Sequence, residues 1–212
     1  QCTGHAPQWA PGRGVRGAIV VPSDELLSET PSRDCKDASV TDREFLMKLA
    51  HDLGADAERT VSEMYSPERV TAAARTLKHL HILPGFALDL RTCDEGGIPW
   101  DFDDPQRRQA AREKFYKEKQ MFLIGTQMCT RFSSWQNLND KKRDPEVIKR
   151  EHVRAVVHLQ FMCELYKAQE DSGRYCLHEH PSGASSWTEP CIQEVLGIDE
   201  VEIVVGDRCQ YG

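Results

Sequence analysis

The sequence predicts an α/β domain of Rossmann-like form, a mostly parallel sheet with helices on both faces, preceded by an irregular N-terminal arm. Three observations carry this. Short apolar runs of strand length alternate with segments of helical period from residue 61 to residue 205. Asp-Pro pairs at 104–105 and 144–145 open two long charged stretches, and proline is welcome in the first turn of a helix. The unusual polar residues follow directly after the strand-like runs, on the side where right-handed crossovers of a parallel sheet gather the strand ends.

Taken in order, residues 1–40 read as an arm or linker. Gly and Pro punctuate residues 11–14, Thr30-Pro31-Ser32 follows, and only residues 17–21 (GAIVV) have strand character. Residues 41–212 read as the domain. Thr41 and Glu44 form a capping box ahead of Phe45, Leu46, Leu49 and Leu53, and Gly54 stops that helix. Residues 61–66 read as a short strand. A helix over 67–79 turns Val70, Ala73, Ala74 and Leu77 inward, and residues 85–90 form the next strand. After a Gly-rich loop comes a charged helix over 105–119. The apolar run at 121–125 is a buried strand that turns at Gly125, and a polar loop extends to Asp144. The longest helix runs from 145 to about 170, with Ile148, Ala155, Leu159, Met162 and Tyr166 inward. Residues 174–181 form a strand with a polar end, 189–196 a helix, and 201–205 the last strand.

The 212 residues suit one domain with an arm, and 39% apolar against 29% charged residues is enough to build a core. A net charge of −7 excludes coating of nucleic acid by bulk attraction. It leaves room for a local basic face made of Arg131, Lys141, Lys142, Arg143, Lys149, Arg150 and Arg154. Asp140, Asp144, Glu146 and Glu151 interrupt that face, so a solvated surface is the competing reading. No apolar run approaches a membrane span and no signal peptide is visible, so no membrane partner is expected. A chain beginning at Gln1 reads as a piece or a processed product of something longer. The eight cysteines contain no C-x-x-C and are too widely spaced for a zinc ribbon, so no metal is expected. Reduced thiols in an intracellular compartment, nuclear or cytoplasmic, fit them better. The sequence carries no signal for an oligomeric state.

The strand ends that a parallel sheet would gather are 63–66, 89, 127–133, 179–181 and 207–209. Cys129, just beyond the central strand, reads either as a nucleophile near a helix start or as a small packing residue. Alternation puts His178 and His180 on one face of their strand and Glu179 on the other. Glu179 then either holds a ring nitrogen or caps the loop at Pro181. Asp89 either accepts from ribose hydroxyls or is a loop aspartate. Trp100 and Trp187 either stack on a ring or close the edge of the core.

Two short motifs in this order resemble those of the cytosine carbon-5 DNA methyltransferases. That family carries Pro-Cys-Gln-x-Phe-Ser after its fourth strand; here Met128-Cys129-Thr130-Arg131-Phe132-Ser133 matches at Cys, Phe and Ser. Glu179-His180-Pro181 is similar to the Glu-Asn-Val or Glu-Asn-Pro that ends the following strand. Asp207-Arg208-Cys209-Gln210-Tyr211-Gly212 is similar to the Asp-x-Cys-x-Tyr-Gly ending of divergent members. The resemblance covers about residues 60–212, and the chain also resembles segments of retroelement-like polyproteins. It implies a methyltransferase-like fold and S-adenosylmethionine as cofactor, held by Glu63, Tyr65, Ser66 and Asp89. It further implies DNA as partner, with Arg131, Ser133, His178, His180 and Trp187 on the substrate side. In the implied mechanism the Cys129 thiolate adds to carbon 6 of a flipped cytosine, while Glu179 holds and protonates ring nitrogen 3. The sequence departs from the family where Pro67 and Glu68 replace the glycines of the cofactor loop, and no arginine-rich motif or target-recognition domain follows. Two other readings compete. One is a catalytically silent domain of a polyprotein that contacts nucleic acid or protein. The other is an unrelated thiol enzyme with His178 or His180 as base.

Overall fold

A computed structural model of the chain describes residues 17–22 and 59–206. Six strands form one sheet: β1 (Gly17–Pro22), β2 (Arg59–Met64), β3 (Ile82–Leu88), β4 (Phe122–Gly125), β5 (Tyr175–Glu179) and β6 (Val201–Gly206). Their order is β3-β2-β4-β5-β1-β6 and every pairing is parallel. The helices are α1 (Val70–Thr76), α2 (Pro105–Glu118), α3 (Gln136–Asp140), α4 (Pro145–Asp171) and α5 (Pro190–Leu196). The architecture is the Rossmann-like α/β sandwich expected from the sequence. From β2 the chain moves outward to β3 and then returns to the other side of β2 as β4. A parallel sheet opens its ligand crevice at such a reversal, beyond the carboxyl ends of the strands.

Two cores cover the two faces. On one face Met64, Leu123 and Cys176 of the sheet lie under Ala111 and Phe115 of α2, Leu159, Met162 and Tyr166 of α4, and Ile192 and Val195 of α5. On the other, Val61, Phe122, Ile124 and Leu177 lie under Ala73, Ala74 and Leu77 around α1. Phe115 and Tyr166 are wholly buried, and a large side chain so placed contributes about 2–3 kcal/mol by leaving water. The helices start where their caps dictate. Asp104 accepts from the Gln106 N–H and Asp144 from the Glu146 N–H, each with proline in the first turn.

Several boundaries differ from the sequence reading, each for a physical reason. The sequence assigns residues 17–21 to a peripheral arm, whereas Gly17–Pro22 lies inside the sheet between β5 and β6. A five-residue apolar run surrounded by Gly and Pro carries no helical period beside it, so its place in a sheet is set by remote partners. β3 begins at Ile82 and runs through Pro84, because it is an edge strand, where a missing N–H is tolerated. Its register on β2 shifts between Val61 and Glu63. At that bulge a Cβ on Gly85 would stand 2.2 Å from the Ser62 hydroxyl, and that hydroxyl accepts from the Phe86 N–H. The helix expected over 67–79 shrinks to α1, with Pro67 outside it. The polar loop to Asp144 contains a 3₁₀ turn (Thr130–Phe132) and α3. Gly125 does not turn: it is the last residue of β4, and a Cβ there would stand 2.0 Å from the Tyr166 hydroxyl. The helix expected over 41–54 and the motif at 207–212 lie outside the described residues. Among the described residues no helix is long and apolar enough to cross a membrane.

Candidate functional site

The all-parallel pairing brings the carboxyl ends of β3, β2, β4 and β5 side by side. They carry Asp89, the 63–66 segment, the Cys129 segment and Glu179, in that order across the sheet. Most of the residues singled out in the sequence therefore share one edge. What each can do depends on what it already touches.

The 63–66 segment is closed on itself. Glu63, 1% exposed, accepts from the Arg69 and Thr71 N–H groups at 3.1 and 2.8 Å and from the Thr71 hydroxyl at 2.7 Å. The Ser66 hydroxyl lies 3.1 Å from its other oxygen. A buried carboxylate from β2 thus satisfies the free N–H groups at the start of α1, which is why that helix starts at Val70 rather than at Pro67. Tyr65 takes a left-handed backbone, φ 61°. Its hydroxyl lies 2.8 Å from Nδ1 of His158, whose Nε2 is 3.0 Å from Asp103, and its ring packs on Phe102. Burial pushes the Tyr65 hydroxyl pKa far up, so the group stays protonated. No local pattern marks Thr71, His158 or Asp103, because each acts on a partner distant in the chain. Asp89 lies past the end of β3, where one carboxylate oxygen accepts from the N–H and Nε of Arg91.

Beyond β4, the half-buried Cys129 heads the 3₁₀ turn, and its carbonyl accepts from the Phe132 N–H. Arg131 forms a two-point pair with Asp140 at 2.8 and 2.6 Å, which raises its pKa and ties the loop to α3. Phe132 is buried, and the Ser133 hydroxyl accepts from the Trp135 N–H. Of the basic face, Arg131, Arg143 and Arg154 are paired with Asp140, Glu151 and Asp103. Lys141, Lys142, Lys149 and Arg150 are exposed.

His178 and His180 point into the core on the α4 side, as alternation requires, and both are fully buried. The Gln127 side chain lies 3.0 Å from His178 Nδ1 and the Tyr166 hydroxyl 3.2 Å from the same atom. His180 Nδ1 meets the Ser186 hydroxyl. Trp187 stands edge-on to both rings and donates from its indole to the Pro181 carbonyl. Burial, helped by the neighbouring His180, lowers the His178 pKa to about 3. Burial lowers that of His180 to about 4, with the Gln127 backbone opposing. Both rings are therefore neutral at physiological pH. Among the described residues His178 Nε2, His180 Nε2 and Gln127 Oε1 are buried without a hydrogen-bond partner. Trp100 closes the core edge with the Arg107 guanidinium over its ring.

Glu179, the last residue of β5, is half-buried on the opposite face of the sheet from the two histidines. No hydrogen bond among the described residues links the Cys129 thiol to Glu179, His178 or His180. Two rings with such low pKa values, both turned into the core, are poor bases for that thiol. Two open clefts of about 380 and 400 Å³ lie along the outer flank of α4, beside Cys191. No group of three His, Cys, Asp or Glu among the described residues is placed to hold a metal ion.

Fold and edge together define a Rossmann-like α/β domain with a cysteine and a glutamate at neighbouring strand ends. A scan of the chain against protein families gives no match, and a search of curated proteins gives none either.

Proposed function

We propose that this is a divergent cytosine carbon-5 methyltransferase-like domain in which Cys129 and Glu179 act on a pyrimidine ring presented by DNA. The observation that carries the reading is the adjacency of β4 and β5, which brings the Cys129 segment and Glu179 to neighbouring strand ends. They lie beside the reversal of strand order between β2 and β4. In this reading the Cys129 thiolate forms a bond to ring carbon 6, and Glu179 holds and protonates ring nitrogen 3. The exposed Lys141, Lys142, Lys149 and Arg150 supply phosphate contacts.

S-adenosylmethionine would supply a methyl group to such a ring. The fit of this chain to it is poor. The polar side-chain atoms of Glu63, Tyr65 and Ser66 are already engaged within the protein. Of the four residues expected to hold it, Asp89 alone keeps a carboxylate oxygen without a hydrogen bond among the described residues.

The chemistry of Cys129 is testable without the cofactor. Addition to carbon 6 makes carbon 5 basic. Protonation there from solvent, loss of the original hydrogen and release of the thiolate exchange that hydrogen without net reaction. Deuterium entering carbon 5 of cytosine in a single-stranded oligonucleotide in heavy water, read by mass spectrometry, supports the reading. No entry above the protein-free rate overturns it. Calorimetry with S-adenosylmethionine and Asp89→Ala tests the cofactor separately.

The closed 63–66 segment favours a second reading, a catalytically silent domain kept for its surface. It predicts neither exchange nor cofactor binding.

A further inference from the structure

Cys163 and Cys191 line one cleft on the flank of the domain, where α4 and α5 pack together. Cys163 lies in the middle of α4 and is 1% exposed. Cys191 is the second residue of α5, half-exposed, and packs against the core cluster that contains Cys163. Both line the open cleft of about 380 Å³, with Glu164, Lys167 and Glu194 around it. Each thiol shifts the other's titration across the packed seam between α4 and α5. The neighbouring Cys163 lowers the Cys191 pKa, and the Ile192 N–H at the start of α5 adds to the effect. Cys191 in turn, together with burial, raises that of Cys163. The pair is thus asymmetric: an accessible sulfur inclined to the thiolate faces a buried sulfur that keeps its proton. That is the arrangement of an attacking thiol beside a resolving one.

We propose that Cys191 and Cys163 are a redox couple that a small disulfide, such as oxidised glutathione, converts to a disulfide bridge between α4 and α5. The Cys191 thiolate attacks one sulfur of the small disulfide, forming a mixed disulfide and releasing one thiol. Cys163 then loses its proton and attacks the Cys191 sulfur, releasing the second thiol. Two protein thiols are oxidised and one small disulfide is reduced to two thiols. The bridge pins the start of α5 to α4, and so fixes the 185–189 turn that carries Ser186 and Trp187 against the two histidines.

The test uses the reduced full chain. Iodoacetamide under native conditions is expected to label Cys191 at least about tenfold faster than the buried Cys176. After oxidised glutathione and alkylation of the remaining thiols, peptide mapping is expected to find Cys163 joined to Cys191. Cys163→Ser should stop at the glutathione adduct on Cys191, and Cys191→Ser should leave Cys163 reduced. Failure of the cross-linked peptide to form in the wild-type chain overturns the proposal, as does oxidation of Cys163 in the Cys191→Ser variant. Neither result bears on Cys129, whose exchange assay is separate.

Discussion

The Gln127 side-chain amide lies 3.0 Å from His178 Nδ1, and through this contact the base of the Cys129 segment is tied to β5. Tyr166 closes on the same nitrogen from α4, and His180 beside it is held by Ser186. The histidines therefore work as an internal clamp across β4, β5 and α4.

A clamp of neutral histidines has a pH signature. Folding lowers His178 from 6.5 to about 3 and His180 from 6.5 to about 4. Below pH 6.5 the unfolded chain binds protons that the folded chain refuses, so stability is full above that value and is lost as pH falls. Each histidine costs up to about 1.4 kcal/mol per pH unit, until the folded ring takes its own proton. Urea midpoints between pH 6 and pH 5, above the range where carboxylates titrate, should fall steeply. His178→Gln should remove about one proton from the uptake on unfolding. A flat profile over that interval would show that the rings are not buried as described.

Gly125 and Tyr166 form the second relationship open to mutation. A Cβ at 125 would stand 2.0 Å from the Tyr166 hydroxyl and 2.5 Å from the end of Met162. Gly125→Ala is expected to destabilise the fold by about 1–3 kcal/mol, the usual cost of overpacking. Tyr166→Phe alone should cost about 1 kcal/mol for its lost hydrogen bond. Because removing the hydroxyl relieves the nearest clash, the double variant should cost less than the sum, by about 1 kcal/mol in a denaturation cycle.

Glu63 distinguishes an internal cap from a ligand. With its oxygens taken by Arg69, Thr71 and Ser66, Glu63→Ala should cost about 2–4 kcal/mol by leaving buried donors unmade. Thr71→Val, which removes only the hydroxyl, should cost about 1 kcal/mol. Chemical denaturation reads both. A Glu63→Ala variant as stable as the wild type would mean that the carboxylate is free for another role.

What the sequence reveals here follows the range of the interaction. The strand–helix alternation and the Asp-Pro helix starts are local, so the fold class and α2, β4, α4, β5 and α5 are legible to within a few residues. Alternation likewise separates Glu179 from His178 and His180 correctly. The pairing of Gly17–Pro22 with β5 and β6 spans most of the chain and leaves no local trace. The loop reading of 130–144 fails because the Arg131–Asp140 pair orders a segment whose composition looks solvated. The basic face shrinks for a related reason: a run of arginines says nothing about which carboxylates already hold them. Gly125 looks like a turn signal and Gly85 like the start of a strand, yet both serve close approach, to Tyr166 and to Ser62, which only the folded chain brings there.

Cys129 and Glu179 carry the last prediction. If they act on a pyrimidine as proposed, Cys129→Ala should reduce carbon-5 exchange to the protein-free rate, since no other group in that segment replaces a thiolate. Glu179→Gln keeps shape and hydrogen-bonding capacity but loses the proton donor, so it should slow exchange by about 10²–10⁴-fold. Neither residue makes a side-chain hydrogen bond that holds the fold among the described residues. Denaturation midpoints of both variants should therefore stay within about 0.5 kcal/mol of the wild type. Loss of exchange with unchanged midpoints separates chemistry from folding. Exchange that survives Cys129→Ala removes the cysteine from the mechanism, and exchange that survives Glu179→Gln leaves protonation of the ring to solvent. A stability loss of several kcal/mol in Cys129→Ala would instead mark the thiol as a packing residue, the other role open to a half-buried cysteine at the head of a turn.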